Sequence, residues 1–221
     1  MNIIIEAINY VLNNSHKFYL ELNIHLLLSL ISLILAFIIS FPAGILCARN
    51  ENFSNIIMNL TGALRVIPAL AIIIIIIPFV GTGFMPALIA LTILAVPPIL
   101  INTALGINST YNNLVEAALG MGMDSKQLLL KIELPNALPF ILSGIKTATV
   151  EVISSATLGA FIGAGGLGTF IITGLAMYNF SLLLVGAAPV TILALSAELL
   201  FNVLEKIILK HRKQEYYENI I

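Results

Sequence analysis

Apolar runs long enough to cross a bilayer alternate with short polar breaks along this chain, and their spacing predicts five membrane-spanning helices. The first is expected over 24–47, with Pro42 and Gly44 placed to kink its end. The second covers 55–78. Its run 72–77 is isoleucine throughout and would read as a strand in a soluble protein, but an isolated strand in lipid leaves its backbone unpaired, so helix is expected there. Pro68 should bend it. The third covers 85–107, and the paired Pro97 and Pro98 remove backbone donors at its middle, predicting a break or a kink. The fourth covers 136–162, with Ser155, Gly159 and Gly163 at a spacing of four that lets helix backbones approach closely, within the chain or against a second copy. A glycine-rich re-entrant or surface segment follows over 163–179. The run 170–177 is too short for a sixth span, and the fifth span covers 180–204.

The polar remainder falls into three parts. Residues 1–23 carry Ile3, Ile4, Ile5, Ala7, Ile8, Val11 and Leu12 in a pattern that suggests a short amphipathic helix at the membrane surface. Residues 205–221 form a charged tail. Between the third and fourth spans lies the longest polar-punctuated stretch, 108–135. It holds two helix-start signals, Asn113 with Glu116 and Asp124 with Gln127. Gly120 and Gly122 can supply the positive φ that ends a helix, and Pro135 is expected to stop the second one. Two short helices joined by a glycine turn are therefore predicted. The second would expose Leu128, Leu129, Leu130, Ile132 and Leu134, and a short apolar helix on a polar loop needs a covering surface. That surface is either another protein or the chain's own membrane domain.

Composition fixes the class. Of 221 residues 59% are hydrophobic and 10% charged, against roughly 25% charged in a soluble domain. With a mean hydropathy of +1.06, this is an all-α polytopic membrane protein. The net charge of −1 argues against a nucleic-acid partner. The single Cys47 cannot form an intrachain disulfide or a thiolate metal cluster. The first 20 residues hold Glu6 and one base, Lys17, and the first apolar run is too long for a cleavable signal, so it is expected to stay as a span. If the 108–135 loop faces the cytoplasm, then Arg49, Lys126, Lys131, Lys146, Lys206, Lys210, Arg212 and Lys213 all lie on or near that side and Lys17 lies opposite. The positive-inside rule then puts the N-terminus outside and the C-terminus in the cytoplasm.

Arg65, Glu151 and Glu198 fall inside predicted spans, where a charge usually faces a cavity or a partner. They are candidates for an intramembrane Arg65–Glu151 pair or for separate places along a translocation path; a purely structural ion pair is the competing reading. Gly163, Gly165, Gly166 and Gly168 match GxGxxG in form, but they follow a membrane helix rather than a strand, so a dinucleotide fingerprint fails on context. A tight turn at the outer mouth of the path fits better. There is no GxxxxGK[ST] for ATP, no HExxH, and no GxSxG; His16, His25 and His211 are scattered. No catalytic residue and no metal site is expected.

The loop also resembles something specific. Glu116, Ala117 and Ala118, then Gly122, Ile132, Leu134 and Pro135, match in residue and spacing the EAA motif of type I ABC importer permeases. IPALA at 67–71, EAALGMGM at 116–123, ELPNALPFILSGIKTATV at 133–150 and IGAGGLG at 162–168 resemble permeases of osmoprotectant (glycine betaine, carnitine, choline) importers. The resemblance covers about 26–204; the first 20 or so residues and the tail lie outside it. It implies a MetI-like fold with a cytoplasmic coupling helix, built from Asp124, Leu128 and the motif residues, docking on an ATP-hydrolysing subunit. It further implies two copies of that subunit, which would bind ATP and Mg, a second permease chain, an external substrate-binding protein and a bacterial cell membrane. This chain itself would hold no cofactor. The runner-up is an amino-acid importer of the methionine type, and a different class altogether is a secondary transporter, for which Glu151 and Glu198 are loose candidates but no internal repeat is seen. The chain has no Trp, and Tyr111, Tyr178 and Phe180 do not group into an aromatic cage, which fits selection by a separate binding protein.

Overall fold

The computed structural model describes residues 2–218, and no strand occurs among them. Helix α1 is Ile3–Asn13 and α2 is Ser15–Arg49. Helices α3 (Glu51–Val66) and α4 (Ala69–Val80) form one apolar stretch bent by 101°. Then come α5 (Phe84–Asn108), α6 (Asn112–Gly120) and α7 (Ser125–Leu128), followed by a π-helical turn Leu129–Glu133, α8 (Leu134–Ser155) and a 3₁₀ turn Ala156–Ile162. Helices α9 (Gly168–Ala176) and α10 (Phe180–Glu218) complete the chain. By length and composition four helical stretches can cross a membrane, or five with the bent α3–α4 pair counted as one span.

Several expectations shift. The helix that carries the first span begins at Ser15, because α2 continues through the polar residues 15–23. Pro42 does not interrupt it. Gly44 instead admits α5: a Cβ there would stand 2.7 Å from Thr103 Cβ. Pro68 does more than bend the second span. Ile67 (φ −75°, ψ 124°) and Pro68 (φ −58°, ψ 136°) are both extended, as the steric clash of a proline ring with its predecessor favours, and the helix breaks. Pro97 and Pro98 neither break nor end α5, which stays helical from Phe84 to Asn108. Both are buried, and α5 is clasped by α2 on one side and α8 on the other, so packing overrides the local cost. The expected charged tail is the backbone continuation of α10, since no Gly or Pro after Val190 stops it. Residues 219–221 of that tail, with the side chains of Lys210, Arg212 and Lys213, lie outside the described residues.

The core is centred on α5, where Leu91, Ala95 and Ile99 meet Leu28 and Ala36 of α2 and Ala148 and Val152 of α8. Gly159 of the small-residue ladder packs within the chain, its Cβ position 3.4 Å from Ala87 and 3.5 Å from Leu28. A second cluster joins α1 to α9 and α10 through Ala7, Phe170, Leu182 and Val185. There Ser181 donates a 2.7 Å hydrogen bond to the Glu6 carboxylate, and Tyr10 and Phe18 lie on the Phe170 ring. The amphipathic N-terminal helix is thus docked on the bundle.

Candidate docking loop and intramembrane cleft

The 108–135 loop holds one free-standing helix, α6, and not two. Leu114, Glu116, Ala117, Leu119 and Met121 are exposed on or beside it, and Ala118 is buried. The N-cap position is Tyr111, whose side chain makes no capping bond, so the expected Asn113–Glu116 capping box does not form. At the other end Gly122 adopts φ +80°. Its amide donates to Leu119 O at 2.9 Å and the Met123 amide donates to Ala118 O at 3.1 Å. This paired pattern is the Schellman ending, which needs a left-handed residue and so favours glycine. Gly120 stays helical and has no such role.

The Asp124–Gln127 box does form. Asp124 Oδ1 accepts from the Gln127 amide at 2.7 Å, and Gln127 Oε1 accepts from the Asp124 amide at 3.1 Å. The helix it starts does not stop at Pro135, which corrects the expected separate helix from Asp124 to Leu134. It runs through the π turn into α8, giving one helical stretch Ser125–Ile162 of 38 residues. Pro135 follows directly on the π turn, inside this stretch, and the helix continues past it without its N–H. Leu128 is buried, Ile132 and Leu134 are half-buried, and Pro135 is exposed.

One residue pair here escaped sequence reasoning. Arg49, the last residue of α2, makes a two-pronged ion pair with Glu133 in the π turn: Nη1 donates to Oε1 at 3.0 Å and Nη2 to Oε2. The two residues are 84 positions apart. The available signal was the spacing of four that places Glu133 on the line of Ala137 and Ile141, both of which are buried.

The intramembrane charges divide. Glu151 and Glu198 line one cleft of about 350 Å³ with Lys146, Thr147, Val150 and Ser154. Lys146 Nζ donates to Asn202 Oδ1 at 3.0 Å and lies 3.6 Å from Glu205 Oε2, so it is turned toward α10. Arg65 is exposed in the last turn of α3; it makes no direct ion pair with Glu151 among the described residues, but its charge acts on the Glu151 carboxyl.

The glycine loop lies at the far end of α2 and α8. Gly163, Gly165 and Gly166 have positive φ, while Gly168 opens α9. The Gly166 amide donates to Glu21 Oε2 at 2.7 Å, and a Cβ on Gly166 would sit 3.3 Å from His25 Nδ1. His25, fully buried, bonds through Nε2 to Ile153 O at 3.1 Å. Glu21 and His25 were not singled out from sequence, because neither belongs to a local pattern. Glu21→Ala should loosen the loop by about 1.5–3 kcal/mol, the usual worth of a hydrogen bond to a charged group. Faster hydrogen exchange at the Gly166 amide would register it; an unchanged rate would show that packing alone holds the loop.

Comparison with known proteins gives this geometry its context. A model of the family described as binding-protein-dependent transport system inner membrane component matches residues 40–212, well over half of the chain. The chain is 43% identical over 198 residues to the carnitine transport permease protein OpuCB of Listeria monocytogenes, covering 90% of this chain and 91% of that one. It is 35% identical over 201 residues to the glycine betaine/carnitine/choline transport system permease protein OpuCB of Bacillus subtilis (strain 168), covering 91% and 93%. Its fold is that of the permease in an inward-facing structure of the MetNI methionine ABC transporter, with a TM-score of 0.81 at 21% identity over 88% of this chain and 97% of that one. A multi-pass membrane transport subunit with the type I ABC importer permease fold, the chain belongs to the family of binding-protein-dependent transport system inner membrane components.

Proposed function

We propose that this chain is the permease of an ATP-driven importer for compatible solutes of the glycine betaine, carnitine and choline kind. The observation that carries the reading is α6: an exposed helix with a fixed glycine ending, joined by the short turn 121–124 to a membrane-crossing rod. The names of its relatives supply the solute class. Two ATPase subunits, holding ATP and Mg, grip α6 of each of two permease chains from the cytoplasm. Their closure moves α6, and the motion enters α8 through α7 and the π turn as a rigid-body shift. Solute released by an external binding protein enters near the glycine loop and passes the cleft of Glu151 and Glu198. The N-terminus lies outside and the C-terminus in the cytoplasm, as the bases require. This chain contributes no catalytic group; the work comes from nucleotide hydrolysis in its partners.

Reconstitution tests the reading. The chain, its co-purifying ATPase and the matching binding protein in proteoliposomes should take up labelled carnitine, glycine betaine or choline only with ATP. Uptake of methionine instead would move the solute class. Uptake driven by an ion gradient without the ATPase would overturn the importer reading.

A further inference from the structure

The geometry points to Arg49 and Glu133 as the positioning pair that carries motion from the docking loop to α2. The inference rests on the importer reading above and adds residues to it. Four observations support it. Glu133 is only 4% exposed, so its carboxylate sits in the packed interior of the loop's base. It is met by a guanidinium in the two-pronged geometry that fixes orientation as well as distance. The π turn is what puts it there. Leu128 and Glu133, five residues apart, are both buried across this turn, and the buried line continues at a spacing of four through Ala137 and Ile141. An uninterrupted α-helix from Leu128 would have turned Ile132 inward and left Glu133 beside the line. One extra residue in a helix is uncommon and recurs at functional sites.

The fourth observation is where the pair acts. Arg49 ends α2, and the next residue, Asn50, caps α3 by accepting from the Phe53 amide at 3.1 Å. The pair therefore ties the α2–α3 elbow to the elbow where the docking loop becomes α8. Any tilt of α7 and the π turn pulls on α2 through two parallel hydrogen bonds. Without the pair, α6 could move while α2 stayed behind, and hydrolysis would proceed with little solute moved.

The test is the amount of solute taken up per ATP hydrolysed, in proteoliposomes containing the whole transporter. Glu133→Gln keeps the shape and removes the charge. It should leave assembly with the ATPase intact and lower the uptake-to-hydrolysis ratio by about fivefold or more, the scale of a lost coupling free energy. Arg49→Ala should do the same, and the exchanged double variant R49E/E133R should recover a large part of the ratio. A normal ratio in assembled Glu133→Gln overturns the proposal. So does a double variant no better than the single ones, and so does failure of the single and double variants alike to assemble, which assigns the pair to folding. Absence of ATP-dependent uptake in the parent transporter would instead sink the importer reading beneath it.

Discussion

Gly122→Val is expected to cut uptake about tenfold or more while leaving the protein in the membrane. Gly122 sits at φ +80°, and a Cβ built on it meets nothing within 4 Å. The obstacle is thus the backbone and not space. A left-handed conformation costs an L-residue roughly 1–2 kcal/mol, more with a β-branch beside the chain. About 1.4 kcal/mol is a tenfold shift in population, so the Schellman ending would give way in most molecules. Then α6 loses the angle at which it leaves α7, and the docking face points elsewhere. The bundle itself, centred on α5, is untouched. Membrane yield should match the parent, ATPase co-purification should fall, and uptake should drop about tenfold or more. Gly122→Asn is the control: asparagine tolerates the left-handed region, so it should retain much of the activity. Full uptake in the valine variant would remove α6 from the coupling path.

Gly144→Val should have the opposite profile, a lost fold rather than a lost function. Gly144 of α8 lies where α5 crosses; a Cβ there would stand 2.7 Å from Pro98 O and 2.8 Å from Asn102 Cβ. Both neighbours are on a helix held from two sides, so neither can retreat cheaply. Overpacking of this kind costs about 1–3 kcal/mol even with relaxation. The measurement is the thermal unfolding midpoint of the detergent-purified chain, which should fall clearly below the parent's, with lower membrane yield. An unchanged midpoint would mean the α5–α8 contact is more compliant than its geometry indicates.

Much of the bundle was written in single runs of residues. The apolar stretches announce the membrane-crossing elements because the bilayer demands length and hydrophobicity together. Gly122 and the Asp124–Gln127 box were readable because a helix end is decided within a few residues. What was not readable depends on distant neighbours. Pro135 reads as a helix stop from its own residues, but it lies inside one helical stretch that runs through a π turn, which no local pattern announces. Pro97 and Pro98 look like breakers until α2 and α8 are packed around them. Residues 15–23 look like surface because their polar members are read alone; in the fold Glu21 holds the glycine loop and Phe18 lies on Phe170. Arg65 and Glu151 show a subtler case. Similar depth in two spans suggested a pair; the fold leaves Arg65 exposed and without a direct ion pair to Glu151, yet close enough for its charge to act on that carboxyl.

Helices α2 and α8 run in opposite directions and are fastened to one another's surroundings at both extremities. Near the start of α2, Glu21 grips Gly166 and His25 grips Ile153; at its end, Arg49 grips Glu133. From Glu21 to Arg49 is about 42 Å at 1.5 Å per residue. Two long struts cross-braced at top and bottom behave as a parallelogram: they lean together or not at all. Under the proposed importer mechanism, the glycine loop at one end of this frame and the docking loop at the other would move together rather than apart.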